Sequence, residues 1–318
     1  MLEKTVAADM GSRMTRLATE KKTSCEDSRL ALDPTNTCRI LAAGSASRRL
    51  LNTALAYPVR GAVADITLAA ILLRRLTLEL TGRKTLMGLE LLAALPGASS
   101  QLERAALAAA GREAGFKRVR LCDSMLAGAL GAGVETEEAR AHMLVDIGRE
   151  RLRTAAFANG GSIAQTQALW GSSAVDRQIK SFFVLEHRML ITSHEAELLK
   201  MGLGSAALRI AGRDASSGFS VTREVRPSRL REAAAPAIAA MAAEIARAIE
   251  QLPPDSAADL YDTGITLIGG GAKQYGLPEQ LQSQLGVPVR RAQNPEHAVI
   301  AGLQRQLREG IGALGAVI

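Results

Sequence analysis

The same short pattern, an apolar strand that ends in Asp, any residue and Gly, occurs twice in the 318-residue chain. The first copy is Ala7–Gly11, with Asp9, and the second is Met143–Gly148, with Asp146. After each copy further strands follow, and helices and strands then alternate. An internal repeat of this kind predicts a duplicated α/β core. We expect the two Asp-x-Gly turns to face each other across a cleft.

A third predicted strand ends in a run of glycines. The apolar segment Gly264–Ile268 is followed by Gly269, Gly270 and Gly271, and a helical pattern begins near Pro278. Glycine has no Cβ, so its backbone N–H groups approach a ligand closely, and a nearby helix N-terminus favours negative charge. By itself the run also suits a tight turn. Together with the two Asp-x-Gly turns, it indicates a ligand-binding edge.

The composition is that of a folded soluble protein, with 47% hydrophobic and 22% charged residues. The length allows two lobes. Cys25, Cys38 and Cys122 are too few for a disulfide framework or a metal cluster, which indicates a reducing cytoplasm. We expect no signal peptide and no membrane span, because no apolar run is long enough.

The basic residues are distributed in small groups. The formal charge is +7, yet few aromatic residues separate the groups, so we expect no nucleic-acid partner. A solvated surface explains the charge, and contact with an anionic membrane surface is the alternative. Arg149, Arg151 and Arg153 alternate, which predicts one strand face that either holds an anion or faces solvent.

Periodicity and capping signals predict the main helices. Ser100 with Glu103, and Thr192 with Glu195, form capping boxes. Residues 19–37 are polar and give no clear pattern. Further elements are predicted as helices over residues 46–57, 66–80, 228–252 and 296–308 and as a hairpin over 208–225.

Several segments resemble MreB, the bacterial actin homologue, within the superfamily of actin, sugar kinases and DnaK-type chaperones. Gly61–Asp65 is similar to the family's Gly-Val-Ile-Ala-Asp, and Ala196–Lys200 matches its Ala-Glu-x-x-Lys helix. Pro253–Gly271 is similar to its Pro-Pro-Glu-Leu-Ala-Ala-Asp-Ile segment and the Gly-Gly-Gly strand end that follows. The resemblance covers nearly the whole chain. It implies an α/β, actin-like ATPase fold, with two duplicated lobes around an interlobe cleft and a small subdomain in each.

The resemblance also implies where the lobes lie. The first lobe is expected over residues 1–140, with its small subdomain near 22–59. The second is expected over 141–318, with its small subdomain near 174–245, and the last helix either stays there or packs back on the first lobe.

In this superfamily two hairpins hold the ATP phosphates and magnesium, and the glycine run holds the adenosine. The resemblance implies no catalytic residue and no metal ligand here. Simpler explanations remain open, because an Asp also caps a turn and a Glu and a Lys three residues apart also form a solvated pair. The residues that it implies for nucleotide binding are Asp9, Gly11, Asp146, Gly148, Glu197, Lys200, Gly269, Gly270 and Gly271.

The phosphate-binding motifs depart from the family pattern. Ser12–Thr15 stands where the family has Thr-Ala-Asn-Thr, and Arg149–Leu152 stands where it has Gly-Gly-Thr-Thr. A phosphate turn needs bare N–H groups and short hydroxyls, so these changes are unfavourable. Ser124 stands at the hydrolytic Glu, and serine is no general base unaided. Gly171–Ser173 replaces Gly-Gly-Asp.

These features together predict an MreB-like bacterial cytoskeletal protein that forms or joins filaments and supports cell shape. ATP and magnesium are its expected cofactors, with binding and hydrolysis weakened or lost, so it is at most a weak ATPase. The expected partners are further copies of the chain or an MreB paralogue, and the expected location is the cytoplasm or the membrane surface. The alternative is a non-polymerising actin-fold adaptor, or pseudo-ATPase, that binds a partner protein.

Overall fold

The computed structural model describes residues 4–37, 39–50, 53–202 and 208–309. These residues form two compact units. Unit 1 contains the described residues up to Thr136 together with those from His297 onward, and unit 2 contains Glu137–Glu296. Each unit has its own cluster of buried apolar side chains. The lobe boundaries expected from the sequence stay a prediction.

The strands and helices alternate along much of the chain. The strands are β1 (Thr5–Met10), β2 (Met14–Ala18), β3 (Thr23–Asp27), β4 (Leu30–Leu32), β5 (Ile40–Ala43), β6 (Ala54–Ala56), β7 (Glu90–Leu95), β8 (Arg118–Asp123), β9 (His142–Ile147), β10 (Leu152–Ala158), β11 (Gly161–Ala168), β12 (Met189–Leu190), β13 (Leu208–Asp214), β14 (Ser220–Val225), β15 (Ile265–Ile268) and β16 (Val289–Arg291). The α-helices are α1 (Ile66–Thr81), α2 (Gln101–Ala114), α3 (Ser124–Ala132), α4 (Ser173–His187), α5 (Ser193–Met201), α6 (Pro227–Glu250), α7 (Pro254–Thr263), α8 (Leu277–Leu285) and α9 (Ala298–Glu309).

The main sheets of the two units have the same topology. The strand order is β3-β2-β1-β7-β8 in unit 1 and β11-β10-β9-β15-β16 in unit 2. The strand that carries the Asp, β1 or β9, pairs antiparallel with its hairpin partner and parallel with β7 or β15. Each unit also has a three-stranded sheet, β5-β4-β6 or β12-β13-β14. The predicted duplication is therefore confirmed.

Local capping explains where the longer helices begin and end. Asp65 accepts a hydrogen bond from the Leu68 N–H at 2.8 Å at the start of α1, and Gly82 ends this helix with φ of 67°. Both predicted capping boxes, at α2 and α5, are confirmed. The predicted hairpin is formed by β13 and β14. The helix predicted over residues 228–252 corresponds to α6, whose apolar side is buried, with Met241 and Ile245 fully inaccessible to solvent.

The helix predicted over residues 46–57 is wrong. Gly44–Arg49 form a 3-10 turn and Ala54–Ala56 form β6, while residues 51 and 52 lie outside the described part. Pairing of β6 with β4 outweighs the helix propensity of alanine here, and Pro58 follows closely. The stretch 19–37, which gave no clear pattern, contains β3 and β4.

Helix α9 is anchored to unit 1 by polar contacts. The Gln304 side chain donates to the Thr19 carbonyl at 2.8 Å, and Arg308 Nε donates to the Glu20 carbonyl at 2.7 Å. The Cys122 thiol donates to Gln306 Oε1 at 3.4 Å. Burial raises the pKa of the Cys122 thiol to about 11, so the thiol is protonated at neutral pH. Among the described residues, no helix is long and apolar enough to cross a membrane.

Candidate functional site

The turn between β9 and β10 is held closed by backbone hydrogen bonds. The Gly148 N–H donates to the Arg151 carbonyl at 2.9 Å. The carbonyls of Gly148 and Arg149 accept from the N–H groups of Ser172 and Ser173, at 2.9 and 3.0 Å. Those two donors stand at the start of α4, where free N–H groups would favour an anion. In this turn they are already bonded to the chain itself.

Arg149 is the centre of a charge network in unit 2. Its Nη1 lies 3.6 Å from Asp176 Oδ2 on α4 and 3.6 Å from Glu197 Oε2 on α5. Its Nε lies 3.5 Å from Glu150 Oε1 in the same turn. The Arg149 side chain is 26% exposed. One guanidinium therefore connects the hairpin turn to two helices, and Glu197, a predicted nucleotide-binding residue, is one of its partners.

Lys200 lies in the interior and belongs to the same network. It is 2% exposed, and its Nζ lies 2.7 Å from Asp176 Oδ1 and 3.3 Å from the Ser172 carbonyl. The alternative of a solvated pair is therefore wrong for Lys200. A buried pair of this kind costs much free energy when one partner is removed, because the other charge is left in the interior.

Glu150 adds negative charge beside the start of α4. Its Oε2 accepts a hydrogen bond from the Ser173 hydroxyl at 3.3 Å, and that hydroxyl in turn accepts from Arg177 at 3.2 Å. Ser173 is buried. The turn thus holds its own carboxylate at the place where the resemblance implies a phosphate.

The alternating arginines do not form one strand face, so that prediction is wrong. Arg149 lies in the turn, because β10 begins only at Leu152. Arg153 lies on β10 directly opposite Asp146, and its Nη1 donates to Asp146 Oδ2 at 3.1 Å. Arg153 is 16% exposed and Asp146 is 11% exposed, both measured on the side chain.

The hairpin of unit 1 repeats this arrangement. Arg16 on β2 lies opposite Asp9 on β1, with Arg16 Nη1 3.7 Å from Asp9 Oδ2. Both hairpins therefore pair the Asp of the repeat with an arginine seven positions later. Sequence reasoning missed Arg16 and assigned Arg153 to a strand face rather than to Asp146, although the shared Asp-x6-Arg spacing is visible once the hairpin register is considered.

The turn of unit 1 is also occupied by the chain's own charges. The Gly11 N–H donates to the Met14 carbonyl at 3.1 Å, as Gly148 does in the other hairpin. Arg13 Nη1 donates to Asp27 Oδ1 at 2.8 Å, and the Asp27 side chain is fully buried. Ser12 Oγ accepts from the Gly61 N–H at 2.6 Å. An arginine of the turn is thus bound to a buried aspartate in both units.

The three glycines after β15 lie beside the end of β9. Gly269 has φ of 83°, and a Cβ there would collide with Asp146 Oδ1 and the Ile147 carbonyl. A Cβ on Gly271 would lie 2.9 Å from the Ser172 Cβ and would collide with Ile147. A Cβ on Gly270 would meet no atom within 4 Å. Packing therefore explains Gly269 and Gly271, whereas Gly270 leaves space at the surface.

These glycines should respond differently to alanine. We expect Gly269→Ala and Gly271→Ala to lower the free energy of unfolding by roughly 1–3 kcal/mol, because backbone and buried atoms must move. Gly270→Ala should change it by less than about 0.5 kcal/mol, the usual effect at an open surface position. Urea denaturation of the three variants measures this. An equal loss of unfolding free energy in Gly270→Ala would show that the space beside Gly270 is not available.

The structure brings most predicted site residues together within unit 2. Asp146, Gly148 and the glycine run adjoin one another, and the network of Arg149 adds Glu197 and, through Asp176, Lys200. Asp9 and Gly11 form the matching hairpin in unit 1. Their meeting with the residues of unit 2 across a cleft stays a prediction. Ser124 is buried at the first turn of α3, after the N-cap residue Asp123.

Solved structures of other proteins have the same duplicated sheets and hairpins, and they define the class to which this fold belongs. MreB5 of Spiroplasma citri, in a crystal structure bound to AMPPNP, superposes with a TM-score of 0.89 at 22% identity, covering 97% of each chain. A MamK double helical filament matches with a TM-score of 0.77 at 17% identity, over 95% of this chain and 98% of MamK. The fold is therefore actin-like.

The sequence comparisons identify the family. The family model described as MreB/Mbl protein matches residues 3–311. The cell shape-determining protein Mbl of Bacillus subtilis (strain 168) is 28% identical over 290 residues, which are 87% of each chain. The cell shape-determining protein MreB of Escherichia coli (strain K12) is 28% identical over 218 residues, which are 66% of this chain and 63% of that protein. The chain belongs to the MreB/Mbl family.

Proposed function

We propose that this protein is a filament-forming cytoskeletal member of the MreB/Mbl family that supports cell shape with weakened or lost ATP binding and hydrolysis. The observation that carries the proposal is the network of Arg149, which holds Glu197 and Asp176 at 3.6 Å each. Family membership supports the role in cell shape.

The first argument for weakened binding is competition within the chain. A nucleotide that uses Glu197 must first separate this side chain from Arg149. To reach the N–H groups of Ser172 and Ser173, it must also break their hydrogen bonds to the carbonyls of the turn. If only a fraction of molecules has these groups free, the apparent dissociation constant rises by the inverse of that fraction. The self-bonded turn therefore lowers nucleotide affinity without removing the fold.

The second argument concerns the charge and space that a phosphate needs. Glu150 lies 3.5 Å from Arg149 and accepts from Ser173, so a carboxylate already occupies this end of the turn. A phosphate brought next to this carboxylate would be repelled by its like charge, the more so where water is partly excluded. On the adenosine side, in contrast, Gly270 leaves open space. The nucleoside part of ATP fits these residues better than its phosphates do.

The position at which the resemblance implies the hydrolytic glutamate holds a serine. Ser124 is 6% exposed and stands where the resemblance implies a glutamate. A serine hydroxyl takes up a proton only with the help of a base, and loss of a general base typically lowers a rate by roughly 10²–10⁴-fold. We therefore propose a weak ATPase at most.

Self-association is the proposed mode of action. MamK, which shares the fold, has been solved as a double helical filament. A head-to-tail contact joins two different surfaces and propagates, so it gives filaments, whereas a two-fold contact closes as a dimer. We propose a propagating contact between copies of this chain, or between this chain and an MreB paralogue.

Membrane-surface contact is proposed for the loop between α1 and β7. Met87 in this loop is 80% exposed, and Arg83 and Lys84 precede it. An apolar tip with adjacent basic residues suits an anionic lipid surface. Leu185 is equally exposed, but Glu186 follows it, which is less favourable there. The proposed location is accordingly the cytoplasmic side of a membrane.

Sedimentation and electron microscopy of the purified protein test the proposal. We expect filaments above a critical concentration, with the same yield in ATP and magnesium as without nucleotide, and phosphate release near background. A closed dimer that persists at all concentrations in light scattering would favour the adaptor alternative. Phosphate release at the rate of an MreB with intact phosphate-binding motifs would contradict the proposed loss of hydrolysis.

The same preparation tests membrane contact by flotation with anionic vesicles. The Met87→Ser variant should float several-fold less than the parent protein, and Leu185→Ser serves as the matched control. Equal flotation of the parent and Met87→Ser would exclude this loop as the contact.

A further inference from the structure

Each hairpin places an arginine directly opposite the aspartate that ends its first strand. Asp9 pairs with Arg16 in the β1–β2 register, and Asp146 pairs with Arg153 in the β9–β10 register. The two pairs occupy equivalent positions of the duplicated sheets. A feature that recurs in both halves at the same register suggests a shared physical role rather than a local accident.

Both pairs are ion pairs between partly buried side chains, and the pair of unit 2 is the closer one. Arg153 Nη1 lies 3.1 Å from Asp146 Oδ2, and Arg16 Nη1 lies 3.7 Å from Asp9 Oδ2. The arginine side chains are 16% and 11% exposed, so solvent screens them only partly. Arginine carries a positive charge in proteins. Each aspartate therefore has a permanent positive charge beside it.

A divalent cation does not fit these aspartates. Magnesium needs oxygen ligands in a near-ideal octahedral arrangement and usually retains several waters. Beside Asp9 or Asp146 it would be repelled by a fixed guanidinium, and the carboxylate oxygen that faces the arginine would have to leave it. No group of three or more metal-ligating side chains occurs within the described ranges either.

We propose that Arg16 in one hairpin and Arg153 in the other each take the place of a divalent cation beside the aspartate, so that neither hairpin binds magnesium. The guanidinium groups neutralise the aspartates permanently, which a metal ion would otherwise do on binding. The inference goes beyond weakened nucleotide affinity, because it concerns which cation accompanies the ligand. It rests on the arginines of the strands, whereas the proposed function rests on Arg149 in the turn.

Titration with Mn²⁺, followed through the electron paramagnetic resonance signal of the free ion, tests this directly. The parent protein should lower the free-ion signal no further than buffer does, and with ADP present no further than ADP alone, which itself chelates Mn²⁺. The Arg16→Met/Arg153→Met variant replaces each guanidinium by a shorter, unbranched side chain without charge, and in the presence of ADP it should bind Mn²⁺ at least tenfold more tightly than the parent. Binding of Mn²⁺ by the parent protein with the same affinity as the variant would overturn the proposal.

Two further variants separate charge from packing. Arg16→Lys/Arg153→Lys retains both cations and should bind Mn²⁺ no better than the parent. Arg120→Met removes an arginine whose Nε lies 3.9 Å from Glu90 on the neighbouring strand of the same sheet, and it too should match the parent. A gain in Mn²⁺ binding in either control would contradict a role for the charge of Arg16 and Arg153. So would the absence of any gain in the folded double Met variant.

Fluorescence titration of the parent protein with a labelled ADP, in magnesium and in EDTA, completes the test. Equal affinity in both buffers is expected. Tight binding of ADP with equal affinity in both buffers would contradict the proposed weakening of nucleotide binding, but it would leave this inference intact. Binding at least tenfold tighter in magnesium would overturn the inference even if the overall affinity is low.

Discussion

Replacing Arg149 and Glu150 by glycine should raise the affinity for a non-hydrolysable ATP analogue by about tenfold or more. In the parent protein the Arg149 side chain holds Asp176 and Glu197, and a ligand that uses Glu197 has to displace it. A network that leaves one molecule in ten open already weakens apparent binding tenfold. Removing Glu150 also removes a carboxylate from the place where the resemblance implies a phosphate. Calorimetric titration of both proteins measures the change.

The design of this variant follows from the burial of its neighbours. Leu152 also departs from the family pattern, but it is 1% exposed and belongs to the core of unit 2, so it is left unchanged. Asp176 keeps Lys200 as a partner at 2.7 Å after Arg149 is removed, which limits the loss of stability. Adding Ser124→Glu to the variant should raise phosphate release, because it restores the residue that the resemblance implies as the base.

A matched control removes an ion pair of the same type away from the site. Arg247 and Glu244 form an exposed pair on α6 at 2.6 Å, and exposed pairs contribute little to stability. The Glu244→Ala/Arg247→Ala variant should bind the analogue as the parent does. If the glycine variant gains no affinity while it remains folded, the contacts of Arg149 are not what limits binding.

The duplicated core was predictable from the sequence because it follows from local signals. The strand that ends in Asp-x-Gly, repeated at Asp9 and Asp146, corresponds to the equivalent strands β1 and β9. The capping boxes likewise depend on residues three apart, which a sequence shows directly. By contrast, the segment 46–57 became a 3-10 turn and an edge strand, since pairing with β4 is a contact over sequence distance.

The charge network could not be predicted in the same way. Asp176 and Glu197 lie 27 and 48 positions from Arg149, and nothing in the sequence indicates that their helices meet its turn. Lys200 was compatible with a solvated pair until its burial was known. The cross-strand arginines are different, because their spacing was visible and only the register was needed to interpret it. Residues that bind charges across elements are thus where sequence reasoning is weakest.

Replacing Gly131 and Gly302 by alanine should destabilise unit 1, although alanine favours helices. These glycines lie where α3 and α9 cross. A Cβ on Gly131 would collide with the Ala298 carbonyl and lie 2.7 Å from the Gly302 N, and a Cβ on Gly302 would collide with the Ala127 carbonyl. Neither obstacle is a side chain that can rotate away, so the helices must separate.

Whether these substitutions raise or lower the melting temperature shows which matters more here, close helix packing or helix propensity. Glycine to alanine inside a helix stabilises by about 1 kcal/mol when nothing else changes. Overpacking typically costs about 1–3 kcal/mol and occasionally more, so each variant should melt several degrees lower. The double variant should lose less stability than the sum of the two single losses, because both changes act on one crossing.

Ala301→Leu on the exposed face of α9 is the control for added bulk, and its melting temperature should not change. A rise in melting temperature for Gly131→Ala or Gly302→Ala would mean that α9 is not held as closely to α3 as the two glycines allow.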